Sequence, residues 1–133
     1  MKYPIGIQTF SRIRENGYVY IDKTALIHQL VSRGSIYFLR RPCRFGKSLL
    51  IITLEAYYEG RKELFEGLAI AGLEKDWFQY PVFHIDFNGD NFAKEGVLEA
   101  AIEGYLGNWE DMYGKNPNYT TPGTRFIELL RRA

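Results

Sequence analysis

The sequence has few of the residues that build covalent or metal-centred structure. Its single cysteine, Cys43, excludes an internal disulfide, and one cysteine with two histidines cannot form the usual structural zinc site. No apolar run approaches the roughly 20 residues that a membrane-spanning helix needs. The first ten residues, MKYPIGIQTF, lack the apolar segment of a signal peptide. These absences favour a soluble, cytoplasmic domain without a metal cluster.

The chain also has little excess charge of either sign. It carries 17 Lys and Arg against 16 Asp and Glu, a formal net charge of +1. This balance excludes a broad nucleic-acid-binding field as the main feature of the surface, while a local basic patch stays open. Hydrophobic residues make up 46% of the 133 residues, and ten Tyr and nine Phe are present, so we expect an ordered domain with a substantial core.

Hydrophobic periodicity predicts helices that alternate with short strands. Helical patterns occupy residues 10–17, 23–34, 47–58, parts of 61–81, 92–114 and 124–133. Apolar or β-branched runs predict strands over residues 18–22, 35–39 and 82–87. The order predicts an α/β fold, in which a P-loop NTPase-like parallel sheet is flanked by helices.

Two units are expected within that fold. Residues 1–34 would form a lead-in of helix, short strand and helix that packs on the core, and residues 35–133 would form the core. Two core strands are too few for an independent doubly wound sheet. We therefore expect this chain to be the N-terminal part of a domain that is incomplete at its C-terminal end.

The segment RRPCRFGKS, residues 40–48, joins the second predicted strand to a strong helix. Its end fits the phosphate-binding (Walker A) motif G-x-x-x-x-G-K-[ST], although Arg41 occupies the first glycine position. Backbone N–H groups at the start of a helix bind phosphate oxygens. Gly46 would let the backbone approach the phosphate, Lys47 would reach the β- and γ-phosphates, and the Ser48 hydroxyl would ligate Mg²⁺.

Other interpretations of this basic loop stay open. Pro42 fixes φ and stiffens the turn that glycine would otherwise supply, and Arg40, Arg41 and Arg44 add positive charge. Without a ligand, Gly-Lys-Ser would simply open a helix and the arginines would form a solvated rim. The alternative to an ATP-binding loop is a non-catalytic module that binds anions or nucleic acid through the stretch from Arg40 to Lys47. A third hypothesis is that the loop is degenerate and only supports a partner-binding surface.

Three separated segments carry a resemblance to a known family. They are YVYIDKTALIHQLV, YFLRRPCRFGKSLLIITLEAYYEGRKELFEGLAI and DWFQYPVFHIDFN. Together they resemble the AAA-ATPase-like family of bacterial P-loop proteins, whose loop reads R-P-R-R-F-G-K-S. The resemblance implies a P-loop NTPase fold that binds ATP with Mg²⁺. Full-length proteins of this family often carry a C-terminal nuclease-like domain of the PD-(D/E)XK type, so the resemblance also implies nucleic acid as a partner through that domain.

Carried over by position, this resemblance implies the nucleotide-binding residues. Cys43 stands where the family usually has arginine, which removes one cation. The implied phosphate loop and the first helical residue after it are Arg41, Pro42, Cys43, Arg44, Phe45, Gly46, Lys47, Ser48 and Leu49. Lys47 is the one that would also take part in catalysis.

Hydrolysis would further need a carboxylate that holds Mg²⁺. Asp86, at the end of VFHIDF, is the candidate by pattern, and its alternative role is to cap the turn that follows the strand. The resemblance places the acidic pair of the family beyond residue 133. We therefore expect weak or absent ATP turnover by this chain alone, even if the whole protein is an ATPase.

For the remaining candidate residues, structural roles such as helix capping and core packing are the main interpretation. Asp22, in Asp22-Lys23-Thr24, would cap the next helix or contact the nucleotide. His28 shows no partner in the sequence, and His84 alternates with apolar residues as a packed side chain would. The aromatic residues Trp77, Phe78 and Tyr80 are expected to pack in the core.

Overall fold

The structure is a computed structural model that describes residues 1–42, 44 and 46–133. Cys43 and Phe45 lie outside these residues. The chain divides into two compact units, Met1–Val82 and Phe83–Ala133. The division predicted at residue 34 stays a prediction. In the described part of the chain, no helix has both the length and the apolar character that crossing a membrane requires.

Helices account for the regular structure of both units. The first unit contains α1 (Phe10–Glu15), α2 (Thr24–Arg33), α3 (Lys47–Tyr58), a 3₁₀ helix (Lys62–Phe65) and α4 (Ala69–Leu73). The second unit contains α5 (Val97–Tyr113) and α6 (Pro122–Arg132).

The predicted α/β fold with a parallel sheet is wrong. Across residues 1–42, 44 and 46–133 there is no strand, and the extended backbone contributes one isolated parallel bridge, between Lys2 and Tyr18. Ile36 and Phe38, expected in a buried strand, are 91% and 90% exposed. An apolar run becomes a strand only when a neighbouring strand supplies hydrogen-bond partners and covers its side chains. In the described ranges, residues 35–39 and 82–87 have no such neighbour.

The helix predictions are confirmed, with shifts at some ends. Helix α3 spans the predicted residues 47–58, and α2 ends beside Gly34. Helix α6 begins at Pro122, before the expected start, because the Thr121 hydroxyl accepts a hydrogen bond from Thr124 N–H and proline suits the first helical position. Helix α5 begins later than expected, directly after Gly96, whose φ of 81° is left-handed.

The core of the first unit lies between α1, α2, α3 and the 3₁₀ helix. Its buried residues are Phe10, Ile27, Ala56, Leu64, Phe65, Leu68 and Ile70. The Phe10 and Phe65 rings lie 5.0 Å apart between centroids, and the Phe65 ring lies 5.2 Å from that of Trp77. Ala56 and Thr53 bury one side of α3, at 5% and 1% exposure. This packing fixes the helix that follows the basic loop.

The second unit has a smaller core of its own, in which α5 packs on α6. Leu106 and Trp109 of α5 are buried with Leu129 of α6. The Phe83 ring meets Trp109 edge-on at 4.8 Å and Phe126 at 5.7 Å. Arg125 of α6 adds an ion pair to Glu110 of α5, so this helix pair is held by both apolar and charged contacts.

Candidate phosphate-binding loop

The basic loop ends at the exposed start of α3. Gly46 is the N-cap, with φ 78° and ψ 15° in the left-handed region. A Cβ built there would meet nothing within 4 Å, so backbone conformation rather than crowding favours glycine. The Leu50 N–H makes the first bond along the helix, to the Gly46 carbonyl at 3.0 Å. The N–H groups of Lys47, Ser48 and Leu49 therefore lie at the free end of α3, the arrangement in which helices bind phosphate.

Arg44 gives the loop a second left-handed residue. Its φ is 66°, and among the described residues it is the one non-glycine with positive φ. For a side chain other than glycine this conformation costs about 1–2 kcal/mol. Strained backbone of this kind concentrates at functional sites, so an observed outlier motivates a functional hypothesis. The sequence carries no signal for it, because arginine has no particular preference for this region.

Lys47 connects the end of the loop to its beginning. Its Nζ donates hydrogen bonds to the carbonyl oxygens of Arg41, at 2.5 Å, and Pro42, at 3.2 Å. An ammonium group has three N–H donors, so one remains beyond these two bonds within the described part of the chain. The contact keeps the positive charge of Lys47 beside the carbonyl groups of Arg41 and Pro42.

The structure thus brings together part of the set predicted from the sequence. Lys47 meets Arg41 and Pro42 through the bonds above, and Gly46 precedes it as the N-cap of α3. Ser48 is exposed on the first turn of α3, whereas the half-buried Leu49 packs against the core. The predicted roles of Cys43 and Phe45 lie outside the described residues. Arg40, Arg41 and Arg44 are exposed, as a basic rim requires.

Asp86 belongs to the second unit and takes part in a turn. Its Oδ1 accepts a hydrogen bond from Asn88 N–H at 2.9 Å, the pattern of an aspartate that closes a turn on its own backbone. Its backbone N–H and carbonyl both contact the Tyr105 hydroxyl, at 3.0 and 2.8 Å. In the described ranges, no group of three or more His, Cys, Asp or Glu could hold a metal ion. The role of Asp86 as a Mg²⁺ ligand stays a prediction.

Asp22 caps two helices at once. Its Oδ1 accepts hydrogen bonds from the N–H and the hydroxyl of Thr24, at 2.9 and 2.6 Å, at the start of α2. Its Oδ2 accepts from Ala69 N–H at 2.7 Å, at the start of α4, while the Thr24 hydroxyl accepts from Ile70 N–H at 3.1 Å. Partial burial opposes ionisation, but the bonds from Thr24 and Ala69 outweigh it and lower the pKa of Asp22. These are the bonds of a helix-capping carboxylate, and the link to Ala69 has no local signal in the sequence.

The other candidates also acquire partners or positions. His28 Nε2 lies 4.0 Å from Glu74 Oε2, a contact that the sequence did not reveal. Trp77 packs against the core of the first unit, as expected. The same expectation is wrong for Phe78 and Tyr80, which are 62% and 53% exposed, because the segment that carries them runs over the surface after Trp77.

Comparisons with known proteins place the chain in a family. Residues 4–133 match the model of the AAA-ATPase-like family, described as a predicted AAA-ATPase. Over 134 aligned positions the chain is 42% identical to an uncharacterized protein in the vnfD 5' region of Azotobacter chroococcum mcd 1. That match covers 99% of this chain and 26% of the relative, so the chain spans about a quarter of the relative's length. No solved structure matches the chain significantly. Because the family model extends over nearly all of its residues, the chain belongs to the AAA-ATPase-like family of predicted AAA-ATPases.

Proposed function

We propose that the loop of residues 40–48 binds the phosphates of ATP together with Mg²⁺, and that the chain is the nucleotide-binding part of an ATPase. The observation that carries this proposal is the start of α3, where Gly46 is a left-handed N-cap and, among the described residues, no side chain caps the first N–H groups beside Lys47. Membership of a family of predicted ATPases supports it. The dipole of a twelve-residue helix anchored in the core adds a favourable field for an anion at this end.

The residues present fit a polyphosphate. The N–H groups of Lys47, Ser48 and Leu49 would bind phosphate oxygens, and the third ammonium proton of Lys47 would donate to the same group. Charged acceptors bind such donors more strongly than carbonyl oxygens do. Arg41 and Arg44 would add positive charge at the rim of the loop, which replaces part of the attraction lost where Cys43 stands for arginine.

The fit to Mg²⁺ rests on fewer residues. The exposed Ser48 hydroxyl offers one oxygen ligand. This suits a cation that keeps several waters and takes its other ligands from phosphate. Mg²⁺, when bound, would neutralise charge on the phosphates during transfer. We expect this chain to bind ATP without efficient turnover.

The test is calorimetric titration of Mg-ATP into the chain and into Lys47→Met. Methionine keeps the apolar stem and removes the ammonium group. Losing a hydrogen bond to a charged partner, about 1.5–3 kcal/mol, corresponds to an increase in Kd of roughly 10- to 150-fold. The matched control is Lys62→Met, an exposed lysine of the same unit, which should leave Kd unchanged. Equal affinity of the Lys47 variant and the unmodified chain would refute the proposal.

The basic-patch interpretation makes a different prediction for the same samples. A module that binds anions only through Arg40, Arg41, Arg44 and Lys47 would bind pyrophosphate as well as ATP at equal charge. It would also bind DNA or RNA with an affinity that falls steeply as salt rises. That pair of results would replace the ATP proposal. A chain that binds none of these ligands would leave the loop with a structural role alone.

A further inference from the structure

The first unit contains a cavity of about 290 Å³ that the sequence did not reveal. None of the described residues of the basic loop lines it. Its volume lies just below the range for small-molecule sites, roughly 300–1,000 Å³. Most of its lining is aromatic and acidic, an unusual combination for a surface cavity in a chain of nearly balanced charge.

Five aromatic side chains line this cavity: Tyr57, Tyr58, Trp77, Phe78 and Tyr80. They form a connected set, in which the Tyr57 ring contacts those of Tyr58 and Trp77 at 5.2 and 5.6 Å between centroids. Tyr80 contacts Tyr58 at 6.1 Å and Phe78 at 6.3 Å. The backbone holds the set in place, because Tyr80 N–H donates to the Tyr58 carbonyl at 2.7 Å.

Much of this aromatic surface faces water. Phe78 is 62% exposed, Tyr80 53% and Tyr58 37%. Several large apolar side chains gathered on one surface are typical of a binding site rather than of packing. These rings line the cavity, and the π faces of aromatic rings attract cations.

Two carboxylates complete the lining, those of Glu74 and Asp76. The Tyr57 hydroxyl donates to Glu74 Oε2, and Asp76 N–H donates to Glu74 Oε1 at 3.2 Å. The Tyr57 bond, opposed by partial burial, lowers the pKa of Glu74, so this group is charged at neutral pH. His28 Nε2 lies 4.0 Å from Glu74 Oε2. Among the described residues that line the cavity, no Lys or Arg is present to neutralise the two carboxylates.

We infer that this aromatic–acidic cavity binds a quaternary ammonium group. Aromatic faces attract cations that are weakly hydrated, and the two carboxylates supply the opposite charge. The same carboxylates oppose binding of an anion. A bare metal ion lacks ligands there, since no group of three or more His, Cys, Asp or Glu is found in the part of the chain that the structure describes.

The ligand-side test uses choline and the alcohol in which carbon replaces its nitrogen. The two have the same shape and differ in charge. Saturation-transfer NMR on the ligand methyl groups should show contact for choline, and the fluorescence of Trp77 in Trp109→Phe should change as choline is added. Capped trimethyl-lysine forms a second arm, which distinguishes a side-chain source of the ammonium group from a free molecule. Equal binding of the neutral alcohol, or no transfer to either cation, would overturn the inference.

Two substitutions test the protein side. Asp76→Asn removes one charge from an exposed residue whose backbone N–H and carbonyl bonds are kept. Tyr58→Leu removes one π face. Each should weaken choline binding by about two- to fivefold, the change expected for one cation contact at an exposed site. Lys47→Met should have no effect on choline, so this site and the phosphate loop can fail independently. If Asp76→Asn and Tyr58→Leu both fold and bind choline as tightly as the unmodified chain, the assignment is wrong.

Discussion

Arg125 joins the two helices of the second unit through a buried ion pair. Its Nε donates to Glu110 Oε1 at 2.5 Å, and its guanidinium group also pairs with Glu103. The side chains of Arg125 and Glu110 are 11% and 7% exposed, whereas that of Glu103 is 49% exposed. Both carboxylates raise the pKa of Arg125, and the Glu103 carboxylate has the larger effect. The effect on stability should nevertheless come mainly from Glu110, because water can solvate Glu103 when the arginine is removed.

The change to test is Arg125→Met, which keeps an apolar stem and removes the guanidinium group. Breaking one side of a buried ion pair costs about 3–5 kcal/mol, because the remaining charge stays buried without its partner. Lys115 Nζ, 3.7 Å from Glu110 Oε2, compensates in part. We therefore expect the low end, a loss of about 3 kcal/mol in the free energy of unfolding.

Urea unfolding followed by Trp109 fluorescence measures this loss. Trp77→Phe in the background confines the signal to the second unit, and it removes no hydrogen bond, because the Trp77 indole N–H has no partner among the described residues. The matched control is Lys115→Met, which removes a 59% exposed partner of the same carboxylate and should cost less than about 1 kcal/mol. Adding Glu110→Met to Arg125→Met should restore much of the stability. Equal losses for Arg125→Met and Lys115→Met would refute the reasoning.

Two further predictions concern a carboxylate and two glycines. Hydrogen bonds from Arg131 and Arg132 lower the pKa of Glu128 from 4.5 to about 2. The ionised carboxylate therefore stabilises the folded chain fully above pH 4.5, and this stabilisation is lost as the pH falls towards 2. Glu128→Gln should reduce the pH dependence of the thermal unfolding midpoint between these two pH values. An unchanged pH dependence would count against the pairing of Glu128 with the two arginines. Gly104→Ala, on the exposed side of α5 with open space for a Cβ, should stabilise by about 1 kcal/mol. Gly46→Ala, at φ 78°, should destabilise by about 1 kcal/mol, and thermal unfolding showing the same sign for both would contradict this account.

The helices could be predicted because their signals are local. Apolar residues at helical spacing between Gly46 and Gly60 define α3, and the same spacing before Gly34 defines α2. A strand depends on a partner that its own residues do not encode. The run of residues 35–39 has strand composition, yet in the described structure no second strand lies beside it, so the prediction of a sheet was wrong.

In the phosphate loop, too, the features that depend on neighbouring residues could be predicted, and those that depend on the folded chain could not. The position of Gly46 at the start of a helix follows from its neighbours in sequence, and its left-handed conformation is a finding of the structure. The bond from Lys47 to the Arg41 carbonyl and the left-handed Arg44 depend on the three-dimensional path of the loop. The cap that Asp22 provides to α4 spans 47 residues, beyond the reach of any local pattern.

The contacts of Lys47 bear on how the loop would meet a phosphate. Its ammonium group already draws residues 41 and 42 towards the start of α3, which is fixed by Thr53 and Ala56 in the core. Ordering a loop on binding reduces affinity, and a loop that is already closed avoids part of that cost. Under the proposed function, a phosphate would accept the third N–H of Lys47, and its charged oxygens would make that bond stronger than the two bonds to neutral carbonyls. The same lysine would then order the loop before binding and also bind the ligand, so its loss should weaken both the order of the loop and the affinity for the ligand.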